Sequence, residues 1–204
     1  MSYITKEKFS KITGKKAALY SIMPIENVPS VMKNGILCHE EAQKILHHSV
    51  ALEDVQEKRE QKKVCGGLRL HQYANLYFNP RNPMMFYVQH HGDGVCILAI
   101  DPEILNQDGC VVSDMNAAKR EVRFYEPCNL EELDFEQVFS QFWNDEFTKA
   151  RECAEVLVPY RVDFSYVMGA VVQNSEDREK LKAMGFSKDI YIDGYRFFRK
   201  EEDA

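Results

Sequence analysis

Arg81 stands between Pro80 and Pro83, inside the run Leu76-Tyr77-Phe78-Asn79-Pro80-Arg81-Asn82-Pro83-Met84-Met85-Phe86-Tyr87. Each proline fixes its own φ and restricts the residue before it, so the centre reads as a stiff loop between two aromatic, apolar flanks. A turn does not need an arginine. A planar cation held in a rigid loop suits a phosphate or a carboxylate. A solvated arginine in a Pro-Asn turn is the plain alternative. The second chemical group is Glu155, near the head of Ala154-Glu155-Val156-Leu157-Val158-Pro159. Period-2 alternation puts Glu155 and Leu157 on one face of a strand and Ala154, Val156 and Val158 on the other. A carboxylate there is costly unless it is paired or functional. Exposure at a sheet edge or an ion pair with Arg151 is one reading; a catalytic carboxylate projecting into a cleft is the other.

Other chemistries find little support. Cys38-His39, His47-His48, Cys65 and His71 match no paired zinc-ligand spacing, so no metal is expected. There is no nucleophile elbow, and Gly66-Gly67 is not followed by the Lys-Ser/Thr of a phosphate loop.

The 204 residues are expected to form one domain over 1–204. Hydrophobic content of 45% and charged content of 28% are ordinary for a soluble globular chain. No apolar run reaches about 18 residues, so no membrane span is expected. Residues 1–8 lack the apolar stretch of a secretory signal, and the six cysteines are scattered. Reduced thiols in a cytoplasm are the expectation. A net charge of −6 excludes attraction of nucleic acid by the molecule as a whole. Local basic groups remain: Lys6 to Lys16, then Lys58, Arg59, Lys62, Lys63 and Arg69, then Lys119, Arg120 and Arg123. Such groups either bind a phosphate backbone or are simply solvated faces.

The apolar pattern predicts strands at 17–22, 76–78, 84–89, 95–100, 111–112, 153–158 and 167–172, with one or two more in 189–198. It predicts helices at 27–33, 133–145 and 175–184, and one or two within 39–63. A helical turn is expected at 101–105 and a plain turn at 90–94. The fold class is mixed α+β.

In their order along the chain these segments resemble the DarT family of bacterial DNA ADP-ribosyltransferase toxins. The matching pieces are Leu19 to Val31 with Asn34-Gly35, Gly67 to Tyr73 leading into Leu76 to Met85, Ser113 to Ala118 followed by Arg123-Phe124-Tyr125, Phe142 to Asp145, and Ala154 to Val158. The resemblance implies the ADP-ribosyltransferase fold: a split antiparallel β core with an NAD cleft and peripheral helices. It implies transfer of ADP-ribose from NAD to a base of single-stranded DNA in a bacterial cytoplasm, and a macrodomain antitoxin that removes the mark.

Carried over residue by residue, Glu155 would be the catalytic carboxylate. It would hydrogen-bond the ribose hydroxyl, stabilise positive charge as the nicotinamide–ribose bond breaks, and take a proton from the attacking base. Arg81 would neutralise an NAD phosphate. Ser21, Met23, Asn27, Leu37 and Tyr77 would line the cofactor cleft. Residues 129–154 would recognise substrate, with Asn116, Arg123, Lys149 and Arg151 contacting DNA or orienting the base. The chain departs from the family pattern at Ser21-Ile22-Met23, where many relatives have His-x-Thr, and at Asn116, where some carry histidine. These departures suggest a divergent branch that modifies guanine rather than thymine. Two other readings stand beside this one: the same fold acting on RNA or protein or merely hydrolysing NAD, and a binding module without catalysis.

Overall fold

The computed structural model describes residues 3–49, 53–64, 67–91, 94–142 and 144–198. Among the described residues ten strands form: β1 (Leu19–Pro24), β2 (Ile36–Leu37), β3 (Tyr73–Tyr77), β4 (Val95–Ile100), β5 (Val111–Ser113), β6 (Phe124–Tyr125), β7 (Glu155–Pro159), β8 (Arg161–Val162), β9 (Val167–Val172) and β10 (Asp189–Ile192). The helices are α1 (Lys6–Thr13), α2 (Val28–Asn34), α3 (His39–Ala42), α4 (Glu53–Glu60), α5 (Pro83–His91), α6 (Phe135–Val138), α7 (Glu146–Glu152) and α8 (Ser175–Ala183). None of them is long and apolar enough to cross a membrane.

Eight strands form one sheet in the order β10-β9-β4-β1-β3-β7-β5-β6. Its neighbours are antiparallel except β9 and β10, which run parallel. Strands β2 and β8 make a small second ladder. Gly35 enters that ladder at φ +79, and a β-carbon added there would collide with the Val162 carbonyl, so no side chain fits. The alternation expected around Glu155 holds. Ala154, Val156 and Val158 enter the main core, and Leu157 joins a smaller cluster with Leu70, Tyr73 and Ala117 on the opposite face.

The middle of the sheet is forked. Strand β1 meets β3 at one residue pair, Tyr20 with Tyr77. Beyond that pair β1 stays bonded to β4, and β3 to β7.

Two expectations need correction. Residues 84–89 are not a strand; they lie inside α5. The Asn82 side chain accepts from the Met85 N–H at 3.0 Å, Pro83 follows as the first helical residue, and Met85 and Val88 bury their side chains one turn apart. Residues 133–145 are not one helix. Asp134 caps the single turn of α6, and the chain opens again before Asp145 caps α7. Residues 189–198 hold a strand, within the one or two expected there, followed by a 3₁₀ turn over Gly194–Phe197. Helix α1 carried no expectation. Thr5 caps it, Gly14 closes it at φ 65, and Phe9 anchors it in the core. Cys65, Gly66, Trp143 and the Gly92-Asp93 part of the expected turn lie outside the described residues.

Candidate active site

The fork between β1 and β3 holds a cavity of about 350 Å³. Ser21 and Met23 line it from β1, and Tyr73, Asn75 and Tyr77 from β3. Helix α4 closes one side with Val55, Gln56 and Arg59, while Met84 and Tyr87 of α5 close another. Asn27 and Leu37 also line it, so five of the six residues expected to bind the cofactor converge here, Arg81 being the exception. The Asn27 amide is already engaged: it donates to the His48 carbonyl at 2.8 Å and accepts the His48 N–H at 2.9 Å, pinning that loop to the rim.

Glu155 sits directly opposite Tyr77 in the β3–β7 ladder and is 1% exposed. Its carboxylate is fully held. Arg59 Nη1 donates to both oxygens and Nη2 to Oε2, each at 3.1 Å, and the Ala117 N–H donates to Oε1 at 2.9 Å. Its own N–H donates to Ser113 Oγ at 3.1 Å, and that hydroxyl donates to the Met115 carbonyl at 2.7 Å. Lys62 ties the α4 end to the same loop through the Lys119 carbonyl. Burial works against the Arg59 charge, but the Glu155 carboxylate outweighs it and holds the guanidinium above its usual pKa. Burial, reinforced by the Glu155 charge, pushes the Tyr77 hydroxyl well above its ordinary range. Tyr77 therefore faces the carboxylate as a neutral hydroxyl. The neighbouring Cys153 thiol is pushed up to about 12, first by burial and then by Glu155.

Arg81 is placed otherwise than expected. It does not line the cavity. Its Nε donates to the Tyr195 carbonyl at 2.9 Å, and its guanidinium lies 3.8 Å from the centre of the Phe198 ring and 4.5 Å from that of Tyr195. The stiff proline loop thus clamps the C-terminal turn, and the cation on Glu155 is Arg59. Nor does Arg151 pair with Glu155. It faces Asp134 at 3.7 Å and covers the Phe147 ring. Lys149 pairs with Glu146 at 2.8 Å. Asn116 lines the cavity, whereas Arg123 enters the same loop through its backbone, bonded to Asp114. In the sequence Arg59 looked like one charge in a solvated run. The signal that could have found it is spacing: Val55 and Arg59 stand four apart on α4, which puts a cation on that helix's apolar stripe.

A forked sheet with an acid at the head of one strand defines the α+β ADP-ribosyltransferase fold, and solved structures share it. Thermosipho africanus DarTG in complex with ADP-ribose aligns with a TM-score of 0.81 at 30% identity, covering 89% of this chain and 51% of that one. Thermus sp. 2.9 DarT in complex with ADP-ribosylated ssDNA aligns with a TM-score of 0.81 at 22% identity, covering 89% and 96%. The family model described as ssDNA thymidine ADP-ribosyltransferase, DarT, matches residues 20–198, and the chain belongs to the DarT family. A Thermosipho africanus DNA ADP-ribosyl transferase-DNA ADP-ribosyl glycohydrolase fusion protein is 31% identical over 179 residues, covering 80% of this chain and 44% of its own length. The chain therefore spans less than half of that relative. Among the described residues no group of His, Cys, Asp and Glu is arranged to hold a metal ion.

Proposed function

We propose that this chain transfers ADP-ribose from NAD to a base of single-stranded DNA, releasing nicotinamide, with Glu155 carrying the chemistry. The observation that carries this reading is the buried Glu155 carboxylate behind the forked cavity, held by Arg59 and the Ala117 amide. Family membership supports it, as do the Thermus sp. 2.9 DarT structures with NAD+ and with ADP-ribosylated ssDNA. The cavity volume falls in the usual range for small-molecule sites, and its lining includes polar Ser21, Asn27 and Asn116 together with Tyr73, Tyr77 and Tyr87.

NAD supplies the ADP-ribosyl group. A base nitrogen bonds to the ribose carbon that nicotinamide leaves, nicotinamide takes the bonding pair, and Glu155 accepts the proton of the base nitrogen. Arg59 holds that carboxylate in place and oriented until the substrate reaches it. Ser21, Met23, Asn27, Leu37 and Tyr77 shape the NAD site. Asn116, Arg123, Lys149 and Arg151 face the DNA, with residues 129–154 as the substrate segment. Arg59 takes the catalytic cation role in this reading, and Arg81 is structural.

The departures at Ser21, Met23 and Asn116 favour guanine over the thymidine in the family's description. A toxin role in a bacterial cytoplasm, opposed by a macrodomain partner, is favoured by the Thermosipho relative, whose transferase is fused to a DNA ADP-ribosyl glycohydrolase. Residues 1–204 act as one domain.

Labelled NAD incubated with oligonucleotides of each base, and with RNA and protein acceptors alongside, tests the whole reading. Guanine-containing DNA should be labelled, and Glu155→Ala should abolish the label. Transfer only to RNA or protein would overturn the acceptor, and no transfer at all would overturn the activity.

A further inference from the structure

We propose that His71, with the His39 ring packed against it, is a positioning residue that keeps Arg59 seated on Glu155. The inference rests on the reading of Glu155 as the transfer site. His39 opens α3 and lines the cavity beside Gln56 and Arg59. Its ring centre lies 4.2 Å from that of His71 at an interplanar angle of 35°. His71 is only 9% exposed, and its Nε2 is buried with no hydrogen-bond partner. The rest of the ring faces the Gln56 carbonyl, one helical turn ahead of Arg59 on α4. Contacts thus run from the His39 ring to the His71 ring, to the α4 backbone, to Arg59, and to the carboxylate.

The arrangement works only with neutral rings. A proton on His71 Nε2 would be a buried charge without an acceptor, next to the buried Arg59 guanidinium. The groups facing the pair are Arg59 and Glu60 from α4, Glu40 from α3, and His47 from the loop behind it. Glu40 is already bonded to Arg69 at 2.8 Å. Burial lowers the pKa of His71, Arg59 adds to this, and Glu60, the Gln56 carbonyl and Glu40 oppose it more weakly. Burial also lowers that of His39, reinforced by His71, His47 and Arg59 and opposed by Glu40. Both folded values therefore lie below the unfolded one near 6.5. The seating is intact above that value and is lost as pH falls through the depressed folded values.

The test joins an NMR titration of the full chain to a pH profile of DNA labelling. The Arg59 guanidinium resonance should move with the same midpoint as the His71 ring proton, and kcat rather than KM should fall at that midpoint. His71→Gln keeps an amide donor for the Gln56 carbonyl and has no titrating ring. It should retain labelling within about threefold near pH 8 and carry the acidic limb roughly one pH unit lower. His39→Phe keeps the ring contact and leaves His71 to titrate, so its limb should stay at the His71 midpoint; the Arg59 resonance coupling in the wild type serves if His71→Gln fails to fold. An Arg59 resonance blind to the His71 titration, or an acidic limb unchanged in His71→Gln, would overturn the inference. A wild type that labels no acceptor would instead fail the functional reading, while the resonance coupling still tests the positioning.

Discussion

At the scale of single residues, a carboxylate 1% exposed and a guanidinium 8% exposed neutralise each other. Removing one member strands the other's charge in a dry site. Arg59→Ala should cost about 3–5 kcal/mol in denaturant unfolding at neutral pH. Replacing the pair together, Arg59→Met with Glu155→Leu, should restore most of the stability and none of the labelling. Arg81→Ala loses one hydrogen bond and its ring contacts, roughly 1–2 kcal/mol, and should leave the labelling rate nearly unchanged. A collapse of labelling with the fold intact would return Arg81 to the active site. The Cys153 thiol, pushed up to about 12, stays protonated at neutral pH. Iodoacetamide should leave it unmodified in the folded protein while exposed Cys128 reacts, as peptide mass spectrometry would read. Glu155 was legible in the sequence because an acid inside an apolar run is expensive, and that cost leaves a visible mark. Arg59 was harder to read, since it sits in a charged run and only its four-residue spacing from Val55 sets it apart from a solvated arginine.

Among the elements, α1 is held to the start of the 129–154 segment by stacked rings. Phe9 lies 6.3 Å from Phe78, Phe78 meets Phe135 edge-on at 5.4 Å, and Phe135 stacks on Phe139 at 5.9 Å beneath the Lys15 ammonium. Phe78→Ala should cost about 3–5 kcal/mol and speed hydrogen exchange at Val138 and Phe139. Unchanged exchange there would show that α6 stands without the stack. Most elements were readable from apolar period and caps. The error at 84–89 has a specific source: an unbroken apolar run serves a buried strand and a buried helix equally, and length alone does not separate them. The Asn82-Pro83 start signal outweighed the β-leaning aromatics. The segment around α6 was read too long because phenylalanines at helical spacing also suit a single turn packed against a helix.

Taken whole, the molecule carries a net charge of −6, so any grip on DNA is local. Affinity for single-stranded DNA should fall steeply with salt, and Arg123→Ala or Lys149→Ala should each lower the log–log slope by about 0.7, as fluorescence anisotropy would show. Slopes identical to wild type would remove those residues from the DNA surface. The α+β class was visible from the alternation of strand and helix patterns. The strand order was not, because β3 finds β7 and β1 finds β4 across long stretches of chain, and nothing local encodes such partners. The same partnership has a mechanical result. Since β1 satisfies its backbone on β4 and β3 on β7, the sheet is two self-sufficient leaves sharing one rung at Tyr20 and Tyr77. A molecule lodged across the leaves braces a joint that the backbone leaves slender, so its arrival would register as slower breathing of that rung before any product forms.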